Sequence, residues 1–176
     1  IDRLVITGTL DGGGDVAVAA TGDIVAAQTL SWTGAGDLRL DADRDVMLGA
    51  AVTSGGAGDF TATAGRDLRL GAPVRATGAG AVALTARTGD ISISGAGVAV
   101  STASGALALE ATEGSVLLAP ARGAARVASA SGGPAPRLAL PSSPAGSGAG
   151  CAVVSPRPAS VPDPIAGGPG ESVELR

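Results

Sequence analysis

The chain has 176 residues and contains no histidine, no lysine and no tyrosine, with only one Phe, one Trp, one Met and one Cys. Without histidine it lacks the commonest general base and metal ligand. Without lysine it lacks the Schiff-base nucleophile and the cation of a phosphate-binding P-loop. The single thiol, Cys151, has no partner for an intrachain disulfide and no basic neighbour to activate it, so no reactivity is assigned to it. A net charge of −4 with sparse arginine gives no electrostatic footprint for nucleic acid. No run of eighteen apolar residues offers a transmembrane helix. Neither a signal sequence nor a start Met precedes Ile1, so the chain is expected to be a piece of something longer.

The poverty in aromatics denies a conventional core its largest fillers, leaving Val, Leu, Ile and Ala to do the packing. What the chain has instead is glycine, 29 residues of it, and a beat. The stretch GDLRLDADRDVMLGAAV, from Gly36 to Val52, recurs 22 residues on as GDFTATAGRDLRLGAPV, from Gly58 to Val74, with nine of seventeen positions identical. Three series keep this phase. Asp15, Asp37 and Asp59 form the first, continued at Ala81; Asp23, Asp45 and Asp67 form the second, reaching Asp90; Leu30, Val52 and Val74 form the third. Repeats of this period mark solenoid architectures.

Each beat alternates apolar and polar residues with period two, the pattern of a strand, and no segment carries a convincing helical period. Val16, Leu38, Phe60 and Val82 fall in one column, and Val18, Leu40, Ala62 and Leu84 in the next. Three short strands per 22 residues, joined by glycine-rich corners, predict an all-β fold: a right-handed parallel β-helix of about five rungs over residues 1–119. Rungs stacked at about 4.8 Å place residues of equal phase directly above one another. Repetition is then a packing requirement, because one rung buries too few side chains to offset the entropy of ordering it.

The corners have their own residues. Gly14, Gly36, Gly58 and Gly80 precede the first strand of each rung, where freedom to take positive φ is expected to turn the chain. Asp15, Asp23, Asp37, Asp45, Asp59, Asp67 and Asp90 are expected to cap the corners by accepting hydrogen bonds from backbone N–H groups. Carboxylates stacked about 5 Å apart repel by about 1 kcal/mol in water. Arg44 and Arg66, each directly before an Asp, are placed to neutralise them. The period stretches to 25 between Ala81 and Ala106, which predicts extra residues bulging from a corner within SGAGVAVSTAS. Ten of the eleven prolines lie in the last 57 residues. Proline cannot donate to a ladder, so residues 120–176 read as a disordered Pro/Ala/Gly/Ser-rich tail or linker and not as rungs.

Three kinds of chemistry can be weighed on such a scaffold. A calcium-binding surface repeat would need the Gly-Gly-x-Gly-x-Asp nonapeptide, and GGAGDF lacks the spacer before Asp59. A carbohydrate-active β-helix enzyme, lyase or hydrolase, would use clustered carboxylates and cations. Asp41, Asp43, Arg39, Arg69, Glu110 and Glu113 are the candidates, but they read better as a solvated face with local ion pairs. An ice-ordering Thr array is limited to Thr61 and Thr63. Trp32 stands alone and reads as a packing residue or end plug in preference to a sugar platform.

The passage GDLRLDADRDVMLGAAVTSGGAGDFTATAGRDLRLGAPV resembles the haemagglutinin-type repeats of the filamentous haemagglutinin family. These are large exoproteins of Gram-negative bacteria exported by two-partner secretion. The resemblance covers roughly residues 12–119 and rests on the alternating GD-apolar-x-apolar and xD-apolar-x-apolar-G phrases. It implies a non-catalytic shaft without cofactor, catalytic or metal site, secreted or held at the cell surface. The implied partners are an outer-membrane transporter of the two-partner type and receptors on host cells or other bacteria. The Asn-Pro-Asn-Gly motif of the family's secretion domain does not occur in these residues.

Overall fold

A computed structural model of the chain describes residues 2–95, 97–119, 126–129 and 137–139. It is a parallel β-solenoid of about five turns, each built from three short strands. The first turn comprises β1 (Val16–Ala20), β2 (Ile24–Ala26) and β3 (Leu30–Trp32). The second comprises β4 (Leu38–Ala42), β5 (Val46–Leu48) and β6 (Val52–Ser54), and the third β7 (Phe60–Ala64), β8 (Leu68–Leu70) and β9 (Val74–Ala76). Next come β10 (Val82–Ala86), β11 (Ile91–Ser94) and β12 (Ala99–Thr102), then β13 (Leu107–Ala111), β14 (Val116–Ala119) and β15 (Arg126–Ser129). A further strand, β16 (Arg137–Ala139), begins another turn. The strands assemble into three parallel sheets, β1-β4-β7-β10-β13-β16, β2-β5-β8-β11-β14 and β3-β6-β9-β12-β15.

The register is the 22-residue one. Val16 pairs with Leu38, Leu38 with Phe60 and Phe60 with Val82. Ile24 pairs with Val46 and Leu30 with Val52. Every second side chain of these strands points inward, and in the second to fourth turns those inward residues are buried. The core is a set of aliphatic columns with local volume exchange. Phe60 stands between Leu38 and Val82, and the same strand then offers only Ala62 between Leu40 and Leu84. A large residue beside a small one keeps the rung's cross-section constant, as close packing demands.

One inward column is partly polar. Trp32, Ser54, Ala76 and Thr102 stack in the third sheet. Trp32 Nε1 donates to the Gly36 carbonyl at 3.0 Å, Ser54 Oγ to Gly58 at 2.8 Å and Thr102 Oγ1 to Gly105 at 2.8 Å. Ala76 is the member without a donor. Because its neighbours carry hydroxyls of equal or greater size, Ala76→Ser should raise stability by about 0.5–1.5 kcal/mol. Urea denaturation would measure it, and a destabilised variant would mean that the Gly80 corner is differently set.

Three features depart from the sequence expectations. First, residues Arg3–Asp11 form a helix, α1, where no helix is expected. Asp2 caps it, accepting from the Leu4 N–H at 2.8 Å, and Ile6 and Leu10 turn inward four residues apart. Its Val, Ile, Thr and Gly content is poor for a helix. Docking on β3 stabilises it, and Leu10 is fully buried there. Second, the extra residues fall mainly in the corner between β11 and β12, where Gly95 and Gly97 take positive φ and Val98 folds inward. Third, β15 and β16 lie beyond residue 119 and pair in parallel with β12 and β13. The exclusion of rungs from residues 120–176 therefore fails at these two strands, neither of which contains a proline. The rest of the expected disordered tail, with Cys151, lies outside the described residues.

The corner glycines are also explained differently. Gly36, Gly58 and Gly80 do not adopt positive φ, and neither does Gly14; Gly13 does. Their requirement is distance. A Cβ on Gly36 would collide with the Gly14 carbonyl, one on Gly58 with that of Gly36, and one on Gly80 with that of Gly58. Backbone stacks on backbone at this corner, leaving no room for a side chain.

Candidate functional site

The most regular polar feature of the solenoid is its pair of aspartate ladders. Along the first corner, Asp15 Oδ1 accepts the N–H of Asp37 at 3.0 Å, and Asp37 that of Asp59 at 2.8 Å. Asp59 accepts from Ala81 at 2.7 Å. Along the second corner, Asp23 accepts from Asp45, Asp45 from Asp67, Asp67 from Asp90 and Asp90 from Ser115, at 2.8–3.3 Å. Each carboxylate thus caps the backbone of the next rung, at the point where the strand ladder begins. All seven aspartates read from the sequence are brought together in this way, as two lines along the column.

The two lines differ in charge. In the second, Arg44 reaches back one rung to Asp23 at 3.1 Å, and Arg66 reaches back to Asp45 with Nε at 3.2 Å and Nη2 at 3.0 Å. Arg69 holds Asp67 from its own strand at 3.0 Å. In the first line, no ion pair reaches Asp15, Asp37 or Asp59 among the described residues. These three are solvent-exposed, so water screens their mutual repulsion.

A third cap has no counterpart in the sequence reading. Asp11, at the end of α1, accepts from the N–H groups of Thr33 at 2.7 Å and Gly34 at 3.3 Å. It stands 22 residues before Thr33, so the helix supplies the capping carboxylate that a preceding rung would otherwise provide. With a single member, the series has no period to reveal it.

Hydrogen bonding to the charged form depresses a carboxyl pKa. The Asp90 N–H, followed by Arg69, holds the Asp67 carboxyl below its ordinary value, and Asp67 in turn raises Arg69. The Thr33 N–H does the same for Asp11. A group whose folded pKa is depressed contributes stability above its unfolded value, and that contribution is lost as pH falls through the folded one. The melting temperature should therefore decline as pH drops below about 4. Asp67→Asn should flatten part of that decline while lowering stability at neutral pH. Parallel curves for the two proteins would show that Asp67 is not a stabilising titration site.

Among the second-line caps, Asp45 is the most enclosed of the ion-paired carboxylates, with 17% of its side chain exposed. Asp45→Ala removes the Asp67 N–H cap and the two-pronged Arg66 contact together. The expected loss is about 1–2 kcal/mol, near the cost of deleting a helix N-cap. Arg66→Ala, which spares the backbone cap, should cost less than about 1 kcal/mol. Denaturation midpoints of the two variants check the order, and equal losses would mean that the cap itself contributes nothing.

The remaining charged candidates do not converge. Asp41 pairs with Arg39 at 3.1 Å and with Arg87 at 3.5 Å on the first sheet. Arg69 belongs to the second sheet, and Asp43, Glu110 and Glu113 are exposed. Trp32 is 1% exposed, an inward packing residue unable to present its ring to a sugar. Thr61 and Thr63 point outward, flanked by Arg39 and Asp41 on one side and by Ala83 and Thr85 on the other. Among the described residues, no group of three His, Cys, Asp or Glu side chains is arranged to hold a metal ion. No described helix is long and apolar enough to cross a membrane. The chain matches no family model, no curated protein and no solved structure.

Proposed function

We propose that this solenoid is a shaft segment of a secreted or surface-displayed bacterial exoprotein of adhesin or haemagglutinin type, without catalytic activity of its own. One observation carries the reading: the seven regularly placed aspartates are committed to joining each rung to the next. An enzyme on such a scaffold aims carboxylates at a substrate from one groove; here they lie in two lines along the column and cap backbone. The outward rows of the first sheet are mostly Ala and Thr, which suits a smooth rod.

A column that grows by adding identical rungs is also suited to export as an extended chain, because each rung can fold on the one already formed. An outer-membrane transporter of the two-partner type is the partner proposed for that step. Receptors on host cells or neighbouring bacteria are the partners proposed for attachment, with localisation at the surface of a Gram-negative cell or outside it. No cofactor and no nucleic acid enter this role.

Antibodies raised against the rungs test the proposal on intact cells of the source bacterium. Surface labelling, together with reduced adherence when residues 12–119 are deleted in frame, is the expected result. Labelling only after permeabilisation would overturn the surface role, and unchanged adherence the adhesive one.

A further inference from the structure

We draw no further inference here: the strongest candidate, the exposed line of Asp15, Asp37 and Asp59 along the first corner, is a cluster of acidic side chains already engaged in capping the N–H groups of the next rung, and nothing among the described residues points to a ligand for it.

Discussion

Gly58→Ala should cost at least about 4 kcal/mol, placing it among the most damaging single substitutions available to a protein. The new Cβ would overlap the Gly36 carbonyl oxygen, lie 2.9 Å from the Gly36 carbonyl carbon and 3.0 Å from Trp32 Nε1. Backbone on one side and a buried ring on the other cannot yield as a flexible side chain would. Relief would require the two rungs to separate at the corner. That would break the Asp59–Asp37 cap and the Ser54 contact to the Gly58 carbonyl. Total stabilities of single domains are about 5–15 kcal/mol, so the variant is expected to be marginal or unfolded.

Two other glycines serve as controls. Gly14, in the same column but on the end rung, faces only the Thr9 side chain at 3.0 Å and the Thr9 carbonyl at 3.4 Å. A Cβ on Gly22 meets nothing nearer than Arg44 Nη2 at 3.6 Å. Gly22→Ala should fall within about 0.5 kcal/mol of wild type, and Gly14→Ala between the two extremes. Urea midpoints for the three proteins would decide. Equal effects at Gly58 and Gly22 would mean that backbone contact does not set the corner sequence.

That comparison also marks where the sequence could be read and where it could not. The beat of Asp15, Asp37 and Asp59 makes the register legible, because strands stacked in parallel must place equal residues at equal phase. The inward columns follow from alternation alone, down to the pairing of Leu38 with Phe60. Glycine at the corners is equally visible, but its cause is not. Positive φ and close backbone approach both select glycine, and only coordinates separate them. Arg44 and Arg66 are recognisable as partners of the aspartates, whereas their reach to the preceding rung depends on side-chain geometry.

Helix α1 is hidden for a physical reason. Its propensity is low, and its inward face consists of just Ile6 and Leu10, too few to establish a period. Tertiary contact creates it, through the end of the column it covers and the Asp11 cap on Thr33. β15 and β16 are hidden by the opposite circumstance. They pair with their neighbours at offsets of 27 and 29 residues, with no aspartate beat to announce them. The capping function is legible because it repeats; α1, β15 and β16 are not, because no period announces them.

Trp32→Ala, the second large effect, tests that dependence of the end on the column. Trp32 is 1% exposed and belongs to β3, the strand on which α1 rests. Replacing a buried Trp with Ala typically costs about 3–5 kcal/mol. Here the loss should be local, because solenoid rungs are stabilised chiefly by their nearest neighbours. Removing the ring takes its largest side chain from the core that Leu10 shares and leaves the Gly36 carbonyl without its 3.0 Å donor. Hydrogen exchange should then show α1 and the first rung unprotected, while Leu68, Leu70 and Leu84 keep slow amides. Trp32→Phe isolates the lost donor and should cost about 1–3 kcal/mol, the range for a buried polar group left unsatisfied. If Trp32→Ala instead melts all rungs together, the column is one cooperative unit, and Trp32 supports the whole rod and not merely its capped end.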